Sequence, residues 1–183
     1  MKYSKDKIVA LHESGKKLKY LFFWGHERSR NGEVTSSCFS QWYASPFTVD
    51  NIVYPTAEHW MMACKARLFE DSESCVKILK AKSPGEAKSI GRRVIGFDQS
   101  LWDEQRFDIV VKGGFHKFTQ NLSLKKYLIN TKSRVLVEAS PVDSIWGIGL
   151  NSEHEFASIP TKWRGSNLLG FALMKVRDMI SDL

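Results

Sequence analysis

Between Tyr54 and Phe69 the apolar residues recur at three- and four-residue intervals, the period of a helix with one buried face. Thr56 suits the N-cap, because its hydroxyl can accept a hydrogen bond from an unpaired N–H of the first turn. Pro55 discourages a helix from running in from upstream. At 100° per residue, Glu58, Met61, Met62, Lys65, Leu68 and Phe69 share one face, while His59, Arg67 and Glu70 fall opposite. Two charges therefore sit in an apolar stripe, about 10.5 Å apart along the axis. Charge in such a stripe is costly unless it is paired or opens into a cavity. The plainer alternative is that Glu58 favours the positive end of the helix dipole and Lys65 snorkels to water.

The rest of the chain alternates in the same way. Residues 1–19 are polar and read as a basic helical extension, and 20–183 as the domain proper. Tyr20–Trp24 is a short apolar run, expected as a buried strand. His26–Ser37 is a polar loop turning at Asn31-Gly32. Cys38–Tyr43 is expected as a second short strand. Phe47–Val53 is expected as a hairpin turning at Asp50-Asn51. Helices are expected over Glu70–Leu79, from Ser83 with Pro84 in its first position and Glu86 completing a capping box, and over Leu101–Gln120 capped by Ser100. The long one contains Gly113-Gly114, which costs about 1 kcal/mol per glycine relative to alanine unless another element packs closely there. Ser123–Asn130 is a further short helix, Val135–Glu138 a strand, Ser140-Pro141 a turn and Ser152–Trp163 an irregular loop. The last helix, Asn167–Ile180, turns Leu168, Leu169, Ala172, Val176 and Met179 toward a core. The sum is a helix-rich α+β domain with a few short strands.

Composition changes little in this picture. Hydrophobic residues make up 43% and charged residues 26% of 183 residues, as in an ordinary globular chain. The formal net charge of +7 favours anionic partners such as nucleotides, phosphates or nucleic acid. Much of the excess lies in Lys2, Lys5, Lys7, Lys16, Lys17 and Lys19, which also suit a solvated basic helix. Three scattered cysteines offer no disulfide framework and fit a reducing cytoplasm. No signal peptide or membrane-length apolar run is visible. The five histidines form no His–x–x–x–His pair, and nothing in the sequence proposes a metal site.

Four groups of residues could carry chemistry. Glu58, near a helix N-terminus, is held ionised and suits a stabiliser of positive charge or a general base, and a lysine such as Lys65 in an apolar pocket has its pKa pushed down toward nucleophilic use. The loop Ser140–Gly149 follows a predicted buried strand, a common place for function. There Asp143 offers a carboxylate or caps the turn, and Trp146 offers a stacking face. Gly147 and Gly149 admit a ligand to the backbone or simply serve the turn. Trp102 lies on the first turn of the long helix, where an aromatic is commonly core. Arg92, Arg93, Lys112 and Lys117 are the fourth group, either phosphate ligands or solvated faces. Two carboxylates, a stacking tryptophan and cations suit cleavage of a glycosidic bond in a nucleotide-like substrate, through an oxocarbenium-like state.

Five blocks carry a family resemblance. Pro55-Thr56-Ala57-Glu58-His59-Trp60 with Lys65, Phe118-Thr119-Gln120-Asn121, Leu136–Pro141, Asp143-x-x-Trp146-Gly147-x-Gly149 and Asn167-Leu168-Leu169-Gly170 resemble, in order and spacing, the YbiA-like proteins of the NADAR superfamily. The likeness runs from about Leu21 to Ile180. It implies a compact α+β fold and N-glycosidase chemistry without a cofactor. Members resembling this chain hydrolyse the bond between ribose phosphate and an amino group on early riboflavin-pathway pyrimidines, and others remove ADP-ribose from guanine bases, including guanine in nucleic acid. The resemblance implies Glu58, Lys65, Trp102 and Asp143 as functional positions. Trp146, Gly147, Gly149, Arg92, Lys117 and Asn167 are expected to contact substrate. A phosphoribosyl or ADP-ribosyl small molecule is the expected partner, with ADP-ribosylated nucleic acid as the alternative, and neither membrane nor obligate protein partner is indicated. Phe39-Ser40-Gln41-Trp42-Tyr43 departs from the family's Leu-Ser-Asn-Phe type of sequence, His26–Ser37 is longer than in compact members, and the basic N-terminal segment has no counterpart. These differences bear on the substrate rather than the reaction. A non-catalytic reader of ADP-ribose is the third reading.

Overall fold

The computed structural model describes residues 2–182. Its elements are α1 (Lys5–Glu13), β1 (Tyr20–Phe23), a 3-10 turn (Ser36–Phe39), β2 (Phe47–Val49), β3 (Ile52–Tyr54), α2 (Ala57–Leu68), α3 (Ser72–Leu79), α4 (Pro84–Gly91), α5 (Gln99–Gln120), α6 (Leu122–Ile129), β4 (Val135–Glu138), a second 3-10 turn (Pro160–Lys162) and α7 (Leu168–Ser181). The class is α+β, as the patterning predicts. The packing divides the chain into two units, Met1–Ser40 with Ser123–Leu183, and Gln41–Leu122.

The Gln41–Leu122 unit is built on α2, which packs on α3, α4 and α5. Thr56 caps α2, its hydroxyl accepting from the His59 N–H at 3.4 Å. The hairpin forms as expected. Asp50 and Asn51 both adopt positive φ, 51° and 62°, the conformation of a two-residue turn whose twist matches its strands. Phe47 and Tyr54 then stack at 5.8 Å, and Tyr54 meets Trp60 edge-on at 5.1 Å. Gln120 ties the hairpin to the end of α5: its side chain accepts from the Thr48 N–H and donates to the Thr48 carbonyl, each at 2.8 Å. Gly113 is where α2 meets α5, since a Cβ there would overlap the Trp60 ring. The close packing expected of Gly113 is therefore present.

The other unit holds the parallel pair β1–β4, in register from Tyr20↔Val135 to Phe23↔Glu138. Helix α7 packs on β4, with Leu169, Phe171, Leu173, Met174 and Val176 buried. Arg177 is buried too, and donates to the Thr131 hydroxyl at 2.8 Å and the Arg134 carbonyl at 2.9 Å. Helix α1 is fastened to this unit. Lys2 and Tyr3 reach Asp178 at 2.7 and 2.9 Å, Lys5 donates to the Trp163 carbonyl at 2.7 Å, and Ile8 is buried.

Several expectations need correction. Cys38–Tyr43 is not a strand: Ser36–Phe39 forms a 3-10 turn, and the Thr35 and Ser37 hydroxyls bond each other at 2.8 Å, local bonding of the kind that competes with a sheet. Trp24 is not buried. The strand ends at Phe23, Gly25 turns the chain at φ 81°, and Trp24 is 61% exposed. Helix α5 starts two residues early, because the Asp98 carboxylate, not Ser100, accepts from the Leu101 N–H at 2.8 Å. Glu86 reaches back past Ser83 to the Lys82 N–H, at 2.7 Å. Met179 faces water, and Ile180 takes the core position beside it.

Candidate functional site

In the Gln41–Leu122 unit the site candidates gather around α2. The helix does not have one wet face as the 100° projection predicts. His59, placed opposite the stripe, is 1% exposed. Its ring nitrogens sit 2.8 Å from the Thr56 hydroxyl and 3.1 Å from the Ala81 carbonyl, and burial lowers its pKa. The reason is that α3 and α4 cover that side of α2. A polar residue facing other helices keeps its hydrogen bonds by finding them inside the protein. Gly91 permits this approach, since a Cβ there would overlap the Met62 sulfur.

Glu58 lies on the first turn of α2 and is buried at 2% exposure. Its backbone N–H donates to the Gln41 carbonyl at 2.9 Å. This links the Gln41 segment to the glutamate itself. Lys65 is half-buried two turns along. It makes no ion pair with a carboxylate among the described residues. Its ammonium instead lies 4.1 Å from the Phe97 ring centroid and 5.5 Å from that of Trp102. Desolvation lowers its pKa, the direction expected of a lysine in an apolar setting.

Phe97 was not anticipated from the sequence, yet a signal exists. With Asp98 as the true cap, Phe97 occupies the position before it and Trp102 the fourth position of the helix. These are the two places that a hydrophobic staple joins. Placing the cap at Ser100 hides the pattern. Trp102 is buried at 8% exposure, so it is both a core residue and a wall beside Lys65.

The cations divide. Lys117 is not on a solvated face: it is 1% exposed, with its ammonium 5.6 Å from the Tyr43 ring centroid and 5.4 Å from that of Phe118. Arg92 caps the end of α4 and is exposed, as are Arg93 and Lys112.

The other candidates lie in the loop after β4. Asp143 Oδ1 accepts from the Ile145 and Trp146 N–H groups, at 2.9 and 2.7 Å. One oxygen thus caps the turn, and Oδ2 makes no hydrogen bond among the described residues. Trp146 is half-buried. Gly147 is packed against its own chain rather than opened to a ligand. A Cβ there would stand 2.8 Å from the Glu138 carbonyl oxygen and 3.0 Å from that of Asp143. Gly149 has φ 68° and lies against Arg164, so the turn itself requires a glycine. Asn167 is fully buried, and its amide serves the strand: Oδ1 accepts from the Glu138 N–H and Nδ2 donates to the Leu136 carbonyl, both at 2.9 Å. Its φ of 54° suits asparagine among non-glycine residues. Asn167 holds β4 and the root of the Asp143 loop. Among the described residues no three His, Cys, Asp or Glu side chains gather to hold a metal, and no helix is long and apolar enough to cross a membrane.

The chain resembles proteins of known name. A model of the NADAR domain matches residues 22–181. N-glycosidase R617 of Acanthamoeba polyphaga mimivirus is 41% identical over 165 residues, 87% of this chain and 95% of that protein. N-glycosidase YbiA of Shigella flexneri serotype 5b is 30% identical over 143 residues, 78% of this chain and 81% of that one. The riboflavin biosynthesis protein PYRR, chloroplastic, of Zea mays is 34% identical over 72% of this chain, which covers 20% of that protein. The NMR structure of the E. coli protein YbiA superposes with a TM-score of 0.71 at 26% identity, covering 90% of this chain and 86% of that one.

Proposed function

This chain belongs to the NADAR domain family, and on that premise we propose that it hydrolyses the C1–N bond of ribosylamino-pyrimidine phosphates, the early intermediates of riboflavin synthesis. It is an N-glycosidase, a hydrolase of N-glycosyl bonds, like the relatives so named. The likeness to the maize riboflavin protein supports the choice of substrate.

The observation that carries the mechanism is Lys65, a desolvated amine set over two aromatic rings with no carboxylate paired to it. An amino-linked ribose can open at C1 to an imine. The Lys65 amine adds to that carbon and the base leaves as a free amine, taking up a proton. Water then adds to C1 of the Lys65 imine, releasing the sugar as its aldehyde and regenerating lysine. In sum, one water is consumed, with hydroxyl going to C1 and hydrogen to the departing amine. Glu58 handles protons and stabilises positive charge at C1, and Trp102, beside Lys65, supplies a face for the ring system. The family resemblance gives Asp143 a functional role as well. Arg92 docks the phosphate as a two-pronged donor, and Lys117 adds positive charge. Borohydride added during turnover will leave the sugar attached to Lys65, and turnover with no adduct there excludes the imine route.

A second substrate has an observation in its favour. The net charge of +7 suits ADP-ribosylated guanine in nucleic acid, where backbone phosphates reward a basic surface. The pure protein given both substrates, with products followed by mass spectrometry, decides between them. Cleavage of the pyrimidine ribotide alone is the expected result, and release of ADP-ribose from guanine alone overturns it.

A further inference from the structure

A cavity of about 780 Å³ lies between the N-terminal segment and the β4–α7 layer of its own unit. None of the candidate catalytic residues lines it. Its apolar lining is mostly aliphatic, with Ile8, Leu11, Leu18, Val135 and Met174 beside the ring of Tyr3. Its mouth carries Lys16, Lys17 and Lys19, all exposed and none in an ion pair among the described residues.

The lysines are placed by backbone structure, not by a loose tail. Helix α1 ends with the Gly15 N–H donating to the His12 carbonyl at 3.1 Å and the Lys16 N–H to the Leu11 carbonyl at 3.2 Å, with Gly15 at φ 78°. That pairing is the Schellman motif, which reverses the chain at a fixed angle. Three residues on, the Lys19 carbonyl accepts from the Val135 N–H at 2.8 Å, and the strand β1 begins. The segment 16–19 is thus pinned at both ends, with its side chains over the cavity mouth.

We propose that this cavity binds a free single-chain anionic amphiphile, an alkyl or acyl chain ending in one carboxylate-like head. The volume falls in the range that holds small-molecule ligands. The mostly aliphatic floor fits a flexible hydrocarbon chain, and the one ring in the lining, Tyr3, is tethered by its hydroxyl to Asp178 at 2.9 Å. A polyanionic backbone would use the lysines but gain nothing from the floor. The head group is matched by the lysine rim, whose long stems can follow it while their ammonium groups stay wet. Most of the lining comes from the N-terminal segment that precedes the family's matched residues 22–181, and no candidate catalytic residue belongs to it, so the proposal is independent of the glycosidase reading.

Titration calorimetry of the full chain with sodium octanoate, decanoate and dodecanoate, all below micelle formation, tests it. One saturable site per chain is expected. Affinity should rise about fourfold per added methylene until the cavity is filled. The neutral alcohol dodecanol should bind at least tenfold more weakly, as should dodecanoate to the Lys16→Glu/Lys17→Glu/Lys19→Glu protein. Leu11→Asp, at a partly exposed position, should weaken dodecanoate while leaving the fold melting cooperatively. If the triple variant does not fold, the chain-length series on the unaltered protein still decides. Absent binding, affinity independent of chain length, or equal binding of dodecanol overturns the proposal. So does a single-stranded oligonucleotide that binds through these lysines where dodecanoate does not.

Discussion

Glu58 and Lys65 share one helix and differ in how the protein treats their charge. Glu58 is taken almost fully out of water, whereas Lys65 keeps partial contact with solvent beside two rings. Glu58→Gln keeps the side chain's size and removes its charge. The expected result is a fall in kcat of about 10²- to 10⁴-fold, the usual range for an acid–base group, with cooperative thermal unfolding retained. Full activity in that variant removes Glu58 from the mechanism. For Lys65 the sign of the pH effect can be worked out. Its pKa is lowered by desolvation, so the free amine becomes available below the ordinary lysine value of 10.5. A rate that depends on that amine rises with pH through the lowered pKa. Phe97→Ala admits water, returns the pKa toward its ordinary value and moves this rising limb of kcat/KM to higher pH. Movement to lower pH would mean that Phe97 acts mainly by holding the ammonium through its ring face, and the amine mechanism would lose its support.

At the level of elements, the sequence was legible where one local rule decides the outcome. Asp50-Asn51 makes its turn because both residues tolerate positive φ. Val135–Glu138 is a strand as expected, and Thr56 caps α2. Gly113 predicts a close approach, and the approach exists. Gly113→Ala forces a Cβ into the Trp60 ring, whose indole N–H is fixed on the Ile109 carbonyl at 2.8 Å. A loss of about 1–3 kcal/mol is expected from such overpacking, readable in urea melts. Legibility failed where two neighbours compete or where distant elements decide. Asp98 and Ser100 are both good caps, and only the staple spacing of Phe97 and Trp102 about Asp98 favours the first. His59 lies opposite the apolar stripe in projection, and only the packing of α3 and α4 buries it. In the candidate site, the Glu58 and Lys65 positions were visible as charges in an apolar stripe. A turn role for Gly147 and Gly149 was one of two readings of the sequence, but the contacts that decide for it, with Glu138 and Arg164, and the bonds of Asn167 to Glu138 and Leu136 are ones that residue type alone does not reveal.

For the whole molecule, the first nineteen residues are more than a solvated basic tail. Deleting residues 2–14 removes the buried Ile8, the bonds of Lys2 and Tyr3 to Asp178 and that of Lys5 to Trp163. Loss of the isoleucine alone is worth about 2 kcal/mol, so the melting temperature should fall by at least about 4 °C, although the family match begins only at residue 22. An unchanged melting curve would return the segment to the status of an appendage. The pairing of β1 with β4 has a consequence of another kind. Tyr20 finds its partner only at Val135, and the whole of Gln41–Leu122 is made in between. On the ribosome the intervening unit has all its own residues in hand while the first forty are still waiting. Chain closures of that span are slow, and a strand edge left open in the meantime is a place for wrong pairing. Nascent chains arrested once residue 122 has emerged from the ribosome should therefore resist protease across 41–122 and be cut freely before residue 40, with protection of the amino-terminal part arriving only after α7 has emerged.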